Sequence, residues 1–130
     1  MEKKEKRVAI YCRVATVDQL SLEAQKDQLC IYAKEHGYDS LNYYMDNGYS
    51  GLNYNRPALS RLEADIQAGR IGAVIVRNVD RIGRNIFETA YWIEQLRKKG
   101  IAFVAVDMIF NENILQNLGC LNNMQIRKKT

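Results

Sequence analysis

The chain has 130 residues, 47% of them apolar, and 19 Lys+Arg against 15 Asp+Glu give a net charge of +4, which suits one compact domain with a real core and a nucleic-acid partner without requiring one. No apolar run reaches the roughly 18–20 residues of a membrane span, and the basic start MEKKEKR lacks the apolar segment of a secretory signal, so a cytoplasmic protein is expected. Cys12, Cys30 and Cys120 lie far apart with no CxxC, and His36 is the only histidine, which argues against both a disulfide framework and a metal site.

Residues 7–14, RVAIYCRV, read as a first strand. Val8, Ile10 and Cys12 point one way and Ala9 and Tyr11 the other, so both faces are apolar, as in a parallel strand covered on both sides. The strand delivers Arg13 to its carboxyl end, followed by the turn Ala15-Thr16-Val17-Asp18. A helix is predicted from Ser21, as its cap, to Glu35, with Leu22, Leu29 and Ala33 inward. Gln25 lies on that same stripe, either as a partly buried amide or as a polar group aimed at the end of the first strand. His36-Gly37 closes the helix, the imidazole near its negative end.

Tyr38 to Met45 reads as a second strand, followed by the loop DNGYSGLNYNRP, residues 46–57. The loop carries Asp46, Ser50 and Arg56 among Tyr49 and Tyr54. Pro57 suits a first helical turn, and Leu59, Leu62 and Ile66 give that helix a buried stripe up to Gly69. Ala73 to Val76 form a third strand, and Arg77, Asp80, Arg81 and Arg84 follow within eight positions. Guanidiniums offer planar forks of donors matched to phosphate oxygens and stay charged at any physiological pH. A helix from about Asn85, with Ile86, Ala90, Ile93 and Leu96 inward, leads to a strand over Ile101–Val106. Ile114, Leu118 and Leu121 suggest a last short helix before the basic IRKKT.

The order β-α-β-α-β-α-β-α with strands buried on both faces predicts an α/β fold, an open, mainly parallel sheet with helices on both faces. Ligands of such sheets bind outside the carboxyl ends of the strands. Arg13, loop 46–56 and loop 77–84 all fall at that rim. Neither G-x-G-x-x-G nor G-x-x-x-x-G-K-[ST] follows any strand, so dinucleotide and P-loop binding lack their glycine-rich turn. Asp46 and Asp80 are too few and too separated for a metal-dependent nuclease. The residues suit metal-free phosphoryl transfer, with Arg13, Arg56, Arg77, Arg81 and Arg84 on the phosphate.

Three segments, YCRVATVDQLSLEAQ, DNGYSGLNYNRPAL and VIVRNVDRIGRN, resemble the signature segments of the serine recombinase (resolvase/invertase) catalytic domain, over roughly residues 7–107. The SLEAQ spelling and the tyrosine loop are most like the large serine recombinases and transposon integrases. The resemblance implies a resolvase-like catalytic domain over residues 1–110, acting on DNA without metal, nucleotide or small-molecule cofactor. Members cut both DNA strands with a serine hydroxyl, hold the 5′ phosphate as a phosphoserine ester, and exchange strands within a tetramer built from dimers. It further implies that Arg13 flanks the nucleophile and that Arg81 and Arg84 grip the scissile phosphate. Asp80 takes part in proton transfer or orients those arginines, Gln25, Asp46 and Arg56 support the site, and Ser50 is a structural loop serine.

The chain departs from the pattern in two places. The family nucleophile stands two residues after the first arginine, where this chain has Ala15, and a methyl group cannot attack phosphorus. Thr16 is a poor substitute, because neighbouring residues of a strand or tight turn point elsewhere. Residues 111–130 are shorter and more asparagine-rich than the family's long dimerisation helix, and read as a remnant or truncated start of it. Two expectations follow: a recombinase catalytic domain that does not cleave, or a degenerate non-catalytic module that binds DNA or pairs with an active recombinase. Retention of Arg13, Asp80, Arg81 and Arg84 favours the first, and the altered C-terminus favours the second.

Overall fold

The computed structural model describes residues 6–49, 56–83 and 85–107, apart from the Asp80 side chain. Ser50, Tyr54, Arg84, the helix expected beyond Asn113 and Cys120 lie outside the described residues. Four strands, β1 (Arg7–Val14), β2 (Leu41–Asn47), β3 (Ile71–Val76) and β4 (Ala102–Ala105), alternate with α1 (Gln19–Glu35), α2 (Pro57–Gln67) and α3 (Ile86–Lys98). All three pairings are parallel and the strand order is β2-β1-β3-β4. The topological switch therefore falls between β1 and β3, the place at which sheets of this kind receive ligands beyond their carboxyl ends.

The alternation read in β1 is what splits the core into two layers. Val8, Ile10 and Cys12 pack with Ala73 and Ile75 of β3 under Leu22, Leu29 and Ala33 of α1. Ala9 and Tyr11 face the other way with Val74 and Val76, under Leu59, Leu62 and Ile66 of α2 and Leu96 of α3. Helices thus cover both faces, as expected. Among the described residues no helix is long and apolar enough to cross a membrane.

Several local expectations are corrected. Helix α1 starts two residues earlier than Ser21, because Asp18, not Ser21, is the cap: its carboxylate accepts the Ser21 N–H at 3.0 Å. Strand β2 begins at Leu41 rather than Tyr38. The Tyr38 N–H is spent on the Ala33 carbonyl at 2.9 Å and Ser40 takes φ +59°, which together make a helix-ending turn of that stretch. The strand instead runs on through Asp46 and Asn47, which pair with Arg13 and Val14. Helix α3 is rotated from its expected phase. Thr89 and Leu96 are buried, Trp92 and Ile93 are half-buried, and Ala90 and Ile86 (71% exposed) face out. Asn85 fixes that phase by capping the Phe87 and Glu88 N–H groups while the Thr89 hydroxyl donates to the Gly83 carbonyl. Strand β4 is confined to 102–105 at the sheet edge, with Ala102 exposed.

Candidate phosphodiester site at the strand ends

The site is built from the end of β1 outward. Arg13 is 1% exposed although it is the penultimate residue of its strand. Its backbone is fixed by Gln25: the main-chain N–H donates to Oε1 at 3.2 Å, and Nε2 donates back to the Arg13 carbonyl at 3.3 Å. Gln25 is thus the polar group aimed from α1 at the strand end, the sharper of its two readings. The Arg13 guanidinium turns inward, donating from Nε to the Arg81 carbonyl at 3.0 Å and from Nη1 to the Tyr49 carbonyl at 3.0 Å.

Arg56 approaches the same turn from the other side. It is fully buried at the N-terminus of α2. Nη1 donates to the Arg81 carbonyl at 2.9 Å and Nη2 to the Ile82 carbonyl. The two lone pairs of one carbonyl oxygen, that of Arg81, therefore face guanidiniums from two different elements. Residues Val79–Arg81 form a single 3-10 turn two residues after β3, and the two buried arginines clamp that turn against the sheet. A planar fork fixes two acceptors at once, which a lysine ammonium does not.

The counter-charge is Asp46, 1% exposed. Its carboxylate accepts from the Tyr11 hydroxyl at 2.8 Å, from Ala58 N–H at 2.8 Å and from Leu59 N–H at 3.1 Å. It thus anchors the start of α2 on the end of β2, where Pro57 leaves no N–H to satisfy. The Tyr11 hydroxyl also receives Arg56 Nη1 at 3.4 Å. Burial drives the Tyr11 phenol well above its usual 10.0; the Arg56 charge opposes this and the Asp46 carboxylate reinforces it. Tyr11 is therefore a fixed proton donor to Asp46. Sequence reading placed Tyr11 only in the core, and its signal was the coincidence of a buried phenol with a neighbouring strand's aspartate.

Of the expected phosphate ligands, then, Arg13 and Arg56 donate to main-chain carbonyls of the 3-10 turn and the loop beside it. Arg77 is ion-paired with Asp107, Nε to Oδ2 at 3.3 Å. The half-buried Arg81 lies close enough to Cys12 for its charge to oppose the rise in the thiol pKa, which burial pushes up to about 12. The turn after β1 lies exposed at the carboxyl end of the sheet. Ala15, Thr16 and Val17 are exposed, and the Val14 carbonyl accepts Gly48 N–H at 2.9 Å and Tyr49 N–H at 3.1 Å. Asp18 N–H donates to Asn47 Oδ1 at 2.9 Å, tying that turn to β2.

A four-stranded parallel sheet with helices on both faces is the fold shared with the serine recombinase catalytic domains. The fold is similar to the N-terminal catalytic domain of TP901-1 integrase, with a TM-score of 0.72 and 30% identity over 92% of this chain and 96% of that one. The chain is 36% identical over 104 residues to a putative DNA recombinase of Bacillus subtilis, covering 77% of this chain and 20% of that protein. It is also 38% identical over 68 residues to an uncharacterized immunity region protein 3 of Bacillus phage phi105, covering 49% of this chain and 83% of that protein. The chain thus spans a fifth of the length of the Bacillus subtilis relative. The family profile described as "Resolvase, N terminal domain" matches residues 8–124, and the chain belongs to that family, which acts on DNA in recombination.

Proposed function

We propose that this chain is a serine-recombinase catalytic domain that binds DNA phosphates at its strand-end crevice and does not cut the strand, because Ala15 occupies the nucleophile position. The observation that carries this reading is the placement of Ala15. It is exposed directly after β1, two residues from the buried Arg13, whose guanidinium bonds the turn that bears Arg81. A hydroxyl at that position would stand at the mouth of the crevice; a methyl there has neither a proton to lose nor a lone pair to attack with. Arg81 and Arg84 are the residues proposed to hold the non-bridging oxygens, with Asp80 orienting them or moving the proton. Arg13, Gln25, Asp46 and Arg56 are positioning residues that act through the clamped turn. Paired copies of the chain on DNA complete the proposal.

The test is a covalent trap. The chain and its Ala15→Ser variant are incubated with end-labelled duplexes of random sequence, quenched in detergent and run on a denaturing gel. A slow-migrating adduct with Ala15→Ser alone, digested to a phosphoserine-bearing peptide, is the expected result. An adduct with the unaltered chain refutes the loss of chemistry. Absence of adduct from an Ala15→Ser protein that binds the duplex refutes the assignment of position 15.

The reading of a non-catalytic module that binds DNA or pairs with an active recombinase is favoured by one observation. The matched segment makes up 83% of the phage phi105 protein, so a chain of this kind can consist of little else. Co-purification of the chain with a catalytically competent relative, and inhibition of that relative's strand joining, separates this reading from the first.

A further inference from the structure

Arg77 differs from the other arginines of the rim in what holds it. Arg13 and Arg56 donate to main-chain carbonyls that cannot leave the site. Arg77 donates from Nε to a single carboxylate oxygen, Asp107 Oδ2, at 3.3 Å, and the Asn78 side-chain amide donates to the same oxygen at 3.5 Å. The pair is brought together by the sheet. Val76 stands opposite Ala105 at the end of the β3–β4 ladder, and one further bond, Asp107 N–H to the Arg77 carbonyl at 2.7 Å, holds the two chains side by side beyond it.

The geometry of the pair is that of an occupied anion seat. An anionic oxygen sits between a guanidinium and an amide, at the carboxyl end of the strand next to β1, on the same rim as Ala15 and Arg81. The contact is long and one-pronged, whereas a guanidinium can bind an anion with two parallel bonds. Its side chains are 41% and 36% exposed, so solvent and salt already weaken it. A phosphodiester would bring more acceptor oxygens to the same two donors than the one Asp107 oxygen supplies.

We propose that Arg77 and Asn78 form a second phosphate subsite, flanking the scissile position, which Asp107 fills until a DNA backbone phosphate displaces its carboxylate. This rests on the reading of the crevice as a DNA-phosphate site. Asp107 then acts as a built-in competitor that weakens DNA binding, and displacing it alters the contacts of the second residue beyond β4.

The experiment measures binding of a fluorescent random-sequence duplex by anisotropy across a salt series. The proteins are the unaltered chain, Asp107→Asn, Arg77→Gln, the double variant and Arg81→Ala. Asp107→Asn is expected to bind more tightly with an unchanged log–log salt slope, because the same phosphate reaches Arg77 in both proteins once the carboxylate is displaced. Arg77→Gln is expected to bind more weakly, with a slope shallower by about 0.9, one phosphate contact fewer. In the Arg77→Gln background Asp107→Asn is expected to gain nothing beyond the general effect of one fewer negative charge. Equal gains in both backgrounds, or no gain from Asp107→Asn while Arg81→Ala loses binding, overturn the subsite and leave the DNA reading standing. Absence of duplex binding by every variant overturns both.

Discussion

The near-isosteric substitution Asp46→Asn tests the scaffold most sharply. Both carboxylate oxygens of Asp46 are occupied: Oδ1 by Ala58 N–H, and Oδ2 by Leu59 N–H and the Tyr11 hydroxyl. Replacing either oxygen with an NH2 sets a donor against a backbone N–H, so neither amide orientation satisfies the start of α2. One charge-assisted bond is lost, costing about 1.5–3 kcal/mol. The backbone N–H left facing the new amide adds its own desolvation, about 1–3 kcal/mol, and Arg56 loses the charge it meets through the shared Tyr11 hydroxyl. These terms overlap, because all of them follow from the loss of one carboxylate. A total of about 2–5 kcal/mol is therefore expected, a large share of the roughly 5–15 kcal/mol that holds such a domain together. Urea unfolding followed by far-UV circular dichroism measures it as a drop in midpoint at unchanged slope. A loss below about 1 kcal/mol refutes the reasoning, because it means that water reaches Asp46 and Arg56 and the network is not a closed one.

Three further outcomes follow from the same geometry. The Cys12 thiol, pushed from 9.0 up to about 12 by burial, and the Tyr44 phenol, pushed from 10.0 up to about 12 by burial and by its bond to Asp65, hold their protons more tightly folded than unfolded. Their contribution is therefore full below pH 9 and is lost as pH rises toward 12, so the urea midpoint should fall across that window; a flat profile contradicts the burial argument. Alkylation of the native protein near neutral pH, mapped by mass spectrometry, should label the half-buried Cys30 and spare Cys12, which is 0% exposed, until urea is added. Gly48→Ala should cost about 1–3 kcal/mol, since φ is +90° and the new methyl would lie 2.8 Å from Val17 Cγ2. Trimming Val17 to Ala in that background should recover only the steric part, because the backbone strain remains.

The sequence made the layers legible and left the role of each arginine hidden, for a physical reason. Period-two alternation in residues 7–14 assigns Val8, Ile10 and Cys12 to one layer and Ala9 and Tyr11 to the other without reference to anything distant. The phase of α3 depends on Asn85, Thr89 and the Gly83 carbonyl, a local polar arrangement that hydrophobic spacing does not encode, so Ile86 and Ala90 were placed inward when they face out. Arginine is the extreme case. A residue type that suits phosphate equally suits a main-chain carbonyl, and only the fold shows that Arg56 donates to the carbonyls of residues 81 and 82. Asp46 reads as a loop carboxylate near the site, yet it belongs to β2 and caps α2 from 12 residues away.

That division changes what the retention of these residues means. Arg13, Gln25, Asp46 and Arg56 are each at most 2% exposed and bonded across elements, so a chain under selection for folding alone keeps them. Their presence therefore has a sufficient reason in the scaffold. Position 15 is different. It is exposed, and the hydrogen bonds described for the clamp run through other residues, so a hydroxyl or a methyl at position 15 leaves those bonds in place. Under the proposed reading, such a domain loses strand cleavage in one substitution and keeps its fold. The residues that report on selection for DNA contact are those the scaffold does not require, Arg77 among them, whose half-exposed pairing with Asp107 contributes at most about 1 kcal/mol to folding. Measured stability should accordingly fall steeply for Arg56→Ala and hardly at all for Arg77→Gln, while DNA affinity responds to Arg77→Gln in the Asp107→Asn background.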